Sequence, residues 1–180
     1  GTVAQHIAWV ERLTSTTAGT FELIRSQSIA ALVTRLTGPS EYDVSFLVAS
    51  AAARRWTVAA TSFAVLALVV ATLRRAPRGR FGDAVSFSAV LAAVPLVSPV
   101  SWDSTYVLVL PAVATLLATR ANGRDRIGEI LFWGGVVLLN IVVSSRVTAL
   151  APKVWAGAAI LISLYRRAGR VDAEAAVARI

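Results

Sequence analysis

The stretch that decides the fold is an apolar segment with a pair of arginines at each end. It reads Arg54-Arg-Trp-Thr-Val-Ala-Ala-Thr-Ser-Phe-Ala-Val-Leu-Ala-Leu-Val-Val-Ala-Thr-Leu-Arg-Arg75, with eighteen uncharged residues between the two pairs. A helix needs about 17–25 predominantly apolar residues to cross about 30 Å of hydrocarbon. Only a helix satisfies its own backbone hydrogen bonds in lipid within one segment. The stretch therefore predicts a transmembrane helix, Trp56–Leu73, with charged ends at the two interfaces.

Four further apolar segments follow along the chain. The second, third and fifth are shorter than a full crossing, so they need flanking residues or neighbouring helices. Residues 44–53 are too few to span and predict an interfacial helix or an extension of the first span. We therefore expect an all-α, polytopic membrane protein of about five transmembrane helices, with its bundle at 54–170. The four segments are about Ala84–Val97, Thr105–Thr119, Gly128–Ser145 and Pro152–Tyr165.

Composition agrees with a membrane protein and excludes several kinds of site. The chain is 56% hydrophobic and only 16% charged, whereas soluble domains have about 45–50% and about 25%. It has no Cys and one His, which excludes Cys-based and His-rich metal sites, and we expect no metal and no cofactor. The net charge is +8, but the arginines lie at the ends of apolar segments and indicate topology. We expect the lipid bilayer as a partner and no nucleic acid.

The distribution of arginine predicts the orientation. Ten arginines lie in three regions, 74–83, 120–127 and 166–170, which fall on the same side if the chain crosses five times. Basic residues accumulate in cytoplasmic loops, so this side and the tail 171–180 are predicted to be cytoplasmic. Residues 1–53 and the Ser98–Ser104 turn are then predicted to lie on the outer face of the cell membrane.

The N-terminal part contains two predicted helical segments. Val3, Ile7, Val10 and Leu13 recur at helical spacing, which predicts a helix at 3–13 or the end of a further span. A second helix is predicted at Phe21–Thr37, because Thr20 can cap it and Gly38-Pro39 can end it. Since no Met occurs anywhere, we expect residues 1–180 to be one membrane domain that forms the C-terminal part of a longer protein.

A polar turn between the second and third segments is the first candidate site. It reads Ser98-Pro-Val-Ser-Trp-Asp103. It is open to two interpretations. In an ordinary interfacial turn, Pro99 breaks the helix, Ser98 and Ser101 satisfy the freed backbone groups, and Trp102 anchors at the headgroups. In a binding site, Trp102 stacks on a sugar ring and Asp103 binds hydroxyls.

This turn, running into Tyr106-Val-Leu-Val-Leu-Pro111, resembles the polyprenol-phosphate-sugar-dependent glycosyltransferases of the GT-C class, in particular glycosyltransferase family 87, the actinobacterial α-mannosyltransferases. Ser26-Gln-Ser-Ile-Ala-Ala-Leu-Val-Thr-Arg35 is similar to a second element of that family, usually Asn-Gln-Ser with an Arg further on. The resemblance covers about Phe21 to Arg120. The family's presumed catalytic acid lies in a first outer loop that has no counterpart here, so the catalytic residue is left unassigned.

The resemblance implies that a sugar, in the first instance mannose, is moved from a polyprenyl-phosphate donor to a cell-envelope glycolipid or glycan on the outer face. A missing N-terminal half would then be a partner. Arginine grips phosphate with a planar fork of donors, although headgroup snorkelling is an equal alternative for Arg25. The predicted substrate- and donor-binding residues are Arg25, Gln27, Ser28, Arg35, Ser101, Trp102 and Asp103.

Two other functions and two other polar residues complete the predictions. Half of a transporter or flippase would share the hydropathy but would place charges or broken helices at mid-membrane. A non-catalytic membrane scaffold is the remaining alternative. His6 could act as a general base, but it has no identifiable partner in the sequence and is interpreted as a structural or solvent-facing residue. Asn140, inside the fourth segment, is predicted to hydrogen-bond across helices.

Overall fold

The computed structural model describes residues 7, 26–37, 49–98, 101, 103–119, 125–141 and 150–177, with only the backbone at 103 and 170–177. All regular structure in these ranges is helical, which confirms the all-α prediction. The helices are α1 (Ile29–Thr37), α2 (Ala51–Arg75), α3 (Arg80–Val97), a 3₁₀ segment (Asp103–Val109), α4 (Leu110–Ala118), α5 (Arg126–Asn140) and α6 (Pro152–Val177).

Helix α2 contains the stretch between the two arginine pairs. Ser50 caps it by accepting a hydrogen bond from the Ala53 N–H at 3.2 Å, and its 25 residues extend about 38 Å at 1.5 Å per residue. Apolar side chains point outward along most of its surface, with Trp56 and Phe63 76% and 73% exposed. A helix in the core of a soluble protein would bury these groups, whereas lipid accommodates them.

Two helices of the described chain, α2 and α3, are both long and apolar enough to cross a bilayer. The predicted first and second crossings therefore have suitable helices. The third segment forms a shorter apolar helix, Ser104–Ala118, and α5, from the fourth segment, extends only about 22 Å from its 15 residues. Helix α6 has 26 residues, but its second half is charged. The prediction of about five crossings thus stays a prediction for these three.

Two predicted helix boundaries are wrong. The fourth segment is predicted to reach Ser145, but α5 ends at Asn140, since Ile141 has an extended backbone; residues 142–145 lie outside the described residues. The third segment is helical close to its predicted bounds, although it begins as a 3₁₀ helix, because Pro111 has no N–H to donate to the carbonyl four residues earlier. The helix predicted at Phe21–Thr37 begins only at Ile29. There the Ser28 hydroxyl accepts from the Ala31 N–H at 3.2 Å and caps the first turn.

Helix α6 packs against each of α2, α3, α4 and α5. It contributes Ile160, Leu161 and Leu164, all fully buried, to the common core. Gly135 of α5 lies directly on α6, where an added Cβ would be 2.8 Å from Ile160 Cγ1. Small residues at helix contacts let backbones approach closely, as is usual between membrane helices.

The turn between α2 and α3 depends on two glycines. Gly79 has a φ of 105°, which side-chain-bearing residues rarely adopt. Gly82 lies against the Pro77 carbonyl, and a Cβ at this position would collide with it. The turn therefore reverses the chain in four residues, 76–79, and makes α2 and α3 antiparallel neighbours.

The arginine-rich regions meet at one end of the bundle. The Arg75 guanidinium lies 4.3 Å above the centre of the Tyr165 ring. Arg166 forms an ion pair with Asp125 at 2.8 Å, and Arg167 donates to Thr119 Oγ1 at 3.5 Å. We call this the arginine end and define it by Arg74, Arg75, Arg78, Arg80, Arg126, Arg166 and Arg167. The structure thus brings the three regions together, as the topology prediction requires.

Candidate functional site

Two segments far apart in sequence meet at the opposite end of α3, about 27 Å from Arg80 for a helix of 18 residues. The Gln27 N–H donates to the Ser101 carbonyl at 2.6 Å. The Ser101 N–H donates to Ser26 Oγ at 3.4 Å, and the Tyr106 hydroxyl donates to the Gln27 carbonyl at 2.6 Å. We call this contact, made by Ser26, Gln27, Ser28, Ser101 and Tyr106, the 26–101 junction.

Ser101 is held in place by the end of α3. Its hydroxyl donates to the Pro95 carbonyl at 2.6 Å. In a continuous helix this carbonyl would accept from residue 99, but residue 99 is a proline and has no N–H. The serine replaces the missing donor, so the prediction that Ser101 satisfies a freed backbone group is confirmed.

The serines on the other side of the junction also act on the backbone. Ser28 caps α1, and its Oγ lies 3.5 Å from Ser26 Oγ. The side chains of Ser26, Gln27, Ser28 and Ser101 are all completely buried. Buried polar groups are retained where they are hydrogen-bonded. The three serine side chains therefore fix the course of the main chain at this end of the bundle.

A buried cation lies behind the junction. Arg35 is only 2% exposed, and its Nη1 donates to the Ser26 carbonyl at 2.8 Å. Burial lowers the pKa of Arg35 to about 10, so its guanidinium remains protonated at neutral pH. The junction thus has a permanent positive charge that is hydrogen-bonded directly to the Ser26 carbonyl.

The structure brings four of the seven predicted site residues together, namely Gln27, Ser28, Arg35 and Ser101. Arg25 and Trp102 lie outside the described residues, as does His6. Asp103 begins the 3₁₀ segment, where only its backbone is described. Trp102 and Asp103 follow Ser101 directly in the sequence.

Sequence reasoning missed the part played by Tyr106. This residue is 4% exposed and joins the two segments through its hydroxyl. The available signal was a single tyrosine within a run of Val and Leu residues. A tyrosine buried in apolar surroundings usually finds a hydrogen-bond acceptor for its O–H group.

The role predicted for Asn140 is wrong. Its side-chain amide donates to the Val136 carbonyl of its own helix at 2.8 Å, and the residue is exposed. The amide therefore bonds back to its own helix instead of bridging two helices. The reason is the early end of α5, which leaves Asn140 in the last turn and not in the middle of a span.

In chemical terms, the junction can position a main-chain segment and provide positive charge. Among the residues that the structure describes, no three acidic or histidine side chains converge on a possible metal site. Comparisons with models of known protein families, with curated protein sequences and with solved structures gave no match. The geometry of the junction is therefore the principal basis for a functional proposal.

Proposed function

We propose that the chain is part of a membrane glycosyltransferase that moves a sugar, in the first instance mannose, from a polyprenyl phosphate to a cell-envelope glycolipid or glycan. The observation that carries the proposal is the 26–101 junction. The two elements that resemble the glycosyltransferases lie far apart in sequence, yet they are hydrogen-bonded to each other in space. A site assembled from both elements requires this proximity.

The proposed reaction makes specific demands on charge. A base removes the proton of the acceptor hydroxyl, while the bond between the sugar and the donor phosphate breaks and negative charge grows on that phosphate. Positive groups already in position stabilise this charge without reorganising. Arg35 is a buried cation beside Ser26, and Arg25 precedes Ser26 in the chain. We assign Arg25 to binding the donor phosphate. Arg35 holds the Ser26 segment in place, and its positive charge adds to the electrostatic stabilisation of that phosphate.

We further propose that the protein crosses the membrane about five times, with the junction on the outer face. Support comes from the arginine end, which lies at the opposite end of α3 and contains basic residues from three separate regions. Basic residues mark the cytoplasmic side. The outward-facing apolar surface of α2 supports insertion of this helix in lipid.

The distribution of charge in the described helices favours a transferase over a transporter. Charged residues in α2, α3 and α5 lie only near the helix ends, and α4 has none. Helix α6 is uncharged from Val154 to Tyr165. Transporters commonly place ionisable groups near mid-membrane, where they bind or relay ions. Ser88 and Thr115, hydrogen-bonded at 2.9 Å between α3 and α4, form a neutral pair.

The proposal is tested by sugar transfer in membranes that contain this chain together with any further part of its parent protein. A radiolabelled polyprenyl-phosphate mannose is supplied, and label in extracted cell-envelope glycolipid is measured. A charge-assisted contact to phosphate contributes roughly 1.5–3 kcal/mol, so Arg25→Ala is expected to transfer about tenfold to a hundredfold more slowly. Arg25→Lys retains the charge without the fork, and an intermediate rate is expected.

Two matched variants serve as controls. Arg55→Ala removes an exposed arginine near the start of α2, and Trp56→Ala removes an exposed tryptophan there. Both are expected to transfer at the wild-type rate, whereas Trp102→Ala is expected to lose transfer at unchanged abundance. Normal transfer by both Arg25→Ala and Trp102→Ala would remove the junction from the active site.

A further inference from the structure

The arginine end is a strongly charged surface that the proposed transfer reaction does not use. Five of its seven arginines are exposed. Within the described residues, only Arg166 of the seven has a carboxylate within ion-pair distance. The described acidic side chains near this end are Asp83, Asp125 and Glu129. Seven positive groups against three negative ones leave a net positive surface that attracts anions.

Arg75 has a geometry suited to phosphate. Its guanidinium carbon lies 4.3 Å from the centre of the Tyr165 ring, and a Cβ added at Gly169 would lie 3.7 Å from Arg75 Nη1. A guanidinium held by a cation–π contact still has N–H donors available for further partners. These donors match two oxygens of a phosphate group. The aromatic ring therefore restrains the guanidinium at this end of the bundle.

The adjoining surface of α2 is apolar and exposed. Val70, Leu73 and Arg74 share one face by their spacing of three and four residues. Val70 and Leu73 are 46% and 40% exposed, in the turn that precedes the arginine pair. The arrangement of these groups is complementary to a phospholipid. The arginine lies at the level of a lipid phosphate, and the apolar side chains lie directly below it, at the level of the acyl chains. A free inorganic anion would use only the charged part.

We propose that the arginine end binds the phosphate group of an anionic phospholipid. Arg74 contacts the phosphate, Val70 and Leu73 on the same face contact the acyl chains, and Arg75 adds positive charge from the side of the helix that faces Tyr165. Basic groups at the membrane surface are expected to attract anionic headgroups in this way. The inference rests on the membrane insertion in the proposed function and is independent of sugar transfer.

The test measures lipid binding to the full chain in a neutral detergent by native mass spectrometry. The probes are phosphatidylglycerol, phosphatidylcholine and inorganic phosphate. Wild-type protein is expected to retain phosphatidylglycerol in preference to the other two. The double variant Arg74→Gln with Arg75→Gln is expected to bind phosphatidylglycerol about 25-fold more weakly, from about fivefold for each arginine near an anionic surface.

The matched control is Arg54→Gln with Arg55→Gln, because this pair lies at the opposite end of the same helix. The control is expected to bind phosphatidylglycerol as the wild type does. An equal loss in both double variants would overturn the site, since it would show general charge attraction. Equal retention of phosphatidylcholine, or competition by millimolar inorganic phosphate, would also overturn it. Failure of sugar transfer with lipid binding intact would count against the proposed function alone.

Discussion

At the residue scale, the 26–101 junction depends on a few hydrogen bonds between buried groups. Tyr106 provides one of them, from its hydroxyl to the Gln27 carbonyl. Its replacement by phenylalanine keeps the ring but leaves a buried carbonyl without this donor, which costs about 1–3 kcal/mol. We expect Tyr106→Phe to lower the free energy of unfolding by that amount, measured by titration with a denaturing detergent.

The control for this change is Tyr165→Phe at the arginine end. That substitution keeps the aromatic face on which Arg75 lies, so a change within about 0.5 kcal/mol is expected, as for substitutions away from buried contacts. Equal stability of Tyr106→Phe and the wild type would show that the tyrosine does not hold the junction.

Arg35 gives a second prediction at this scale. Arg35→Met keeps most of the apolar stem but removes the bond to the Ser26 carbonyl. Hydrogen bonds to charged groups contribute about 1.5–3 kcal/mol, so a loss of that size in the free energy of unfolding is expected. Arg78→Met, at an exposed position in the α2–α3 turn, is the control and should be neutral. An Arg35→Met protein as stable as the control would mean that desolvation of the charge offsets the bond.

At the scale of elements, the contact between α5 and α6 can be tested with two adjacent glycines. A Cβ at Gly135 would be 2.8 Å from Ile160 Cγ1 and 3.1 Å from the Ala156 carbonyl, whereas a Cβ at Gly134 meets nothing within 4 Å. Overpacking a tight contact costs about 1–3 kcal/mol. Gly135→Ala is therefore expected to lower thermal stability.

Gly134→Ala is the matched control, and it should be neutral or raise stability, because alanine favours a helix over glycine by about 1 kcal/mol. The two variants carry the same glycine-to-alanine substitution at neighbouring positions. If both raised stability equally, α5 would not pack closely on α6 at Gly135.

The elements also show how much of the fold could be predicted from the sequence. The two arginine pairs around Trp56–Leu73 predicted α2 closely, because charge marks the ends of an apolar helix. The bounds of other helices could be predicted less closely from the sequence. The start of α1 depends on a serine cap whose use is decided by the junction, and α5 ends early where no breaker residue marks the sequence.

The candidate site was predictable in part for a similar reason. The pattern Ser98-Pro-Val-Ser indicated a turn with an unpaired carbonyl, and Ser101 fills that role. The pairing of this turn with Ser26 and Gln27 is a long-range contact that local patterns do not encode. The resemblance placed both segments in one site, whereas the hydrogen bond from Tyr106 required the structure.

At the scale of the whole molecule, the structure has two chemically different ends. One end gathers arginines from three regions, and the other joins 26–28 to Ser101 around a buried arginine. Between them, α2 exposes an apolar surface along about 38 Å. A protein with this distribution of charge and apolar surface is suited to a bilayer, with each end at a different interface.

The most direct test of the account is the accessibility of single cysteines in intact cells, since the chain has no cysteine of its own. Ser104 is exposed beyond the junction, and Arg78 is exposed at the arginine end. With a membrane-impermeant maleimide, we predict that Ser104→Cys is labelled in intact cells, while Arg78→Cys is labelled only after lysis. Labelling of Arg78→Cys in intact cells with protection of Ser104→Cys would contradict the orientation, and recovery of the protein in the soluble fraction would contradict membrane insertion itself.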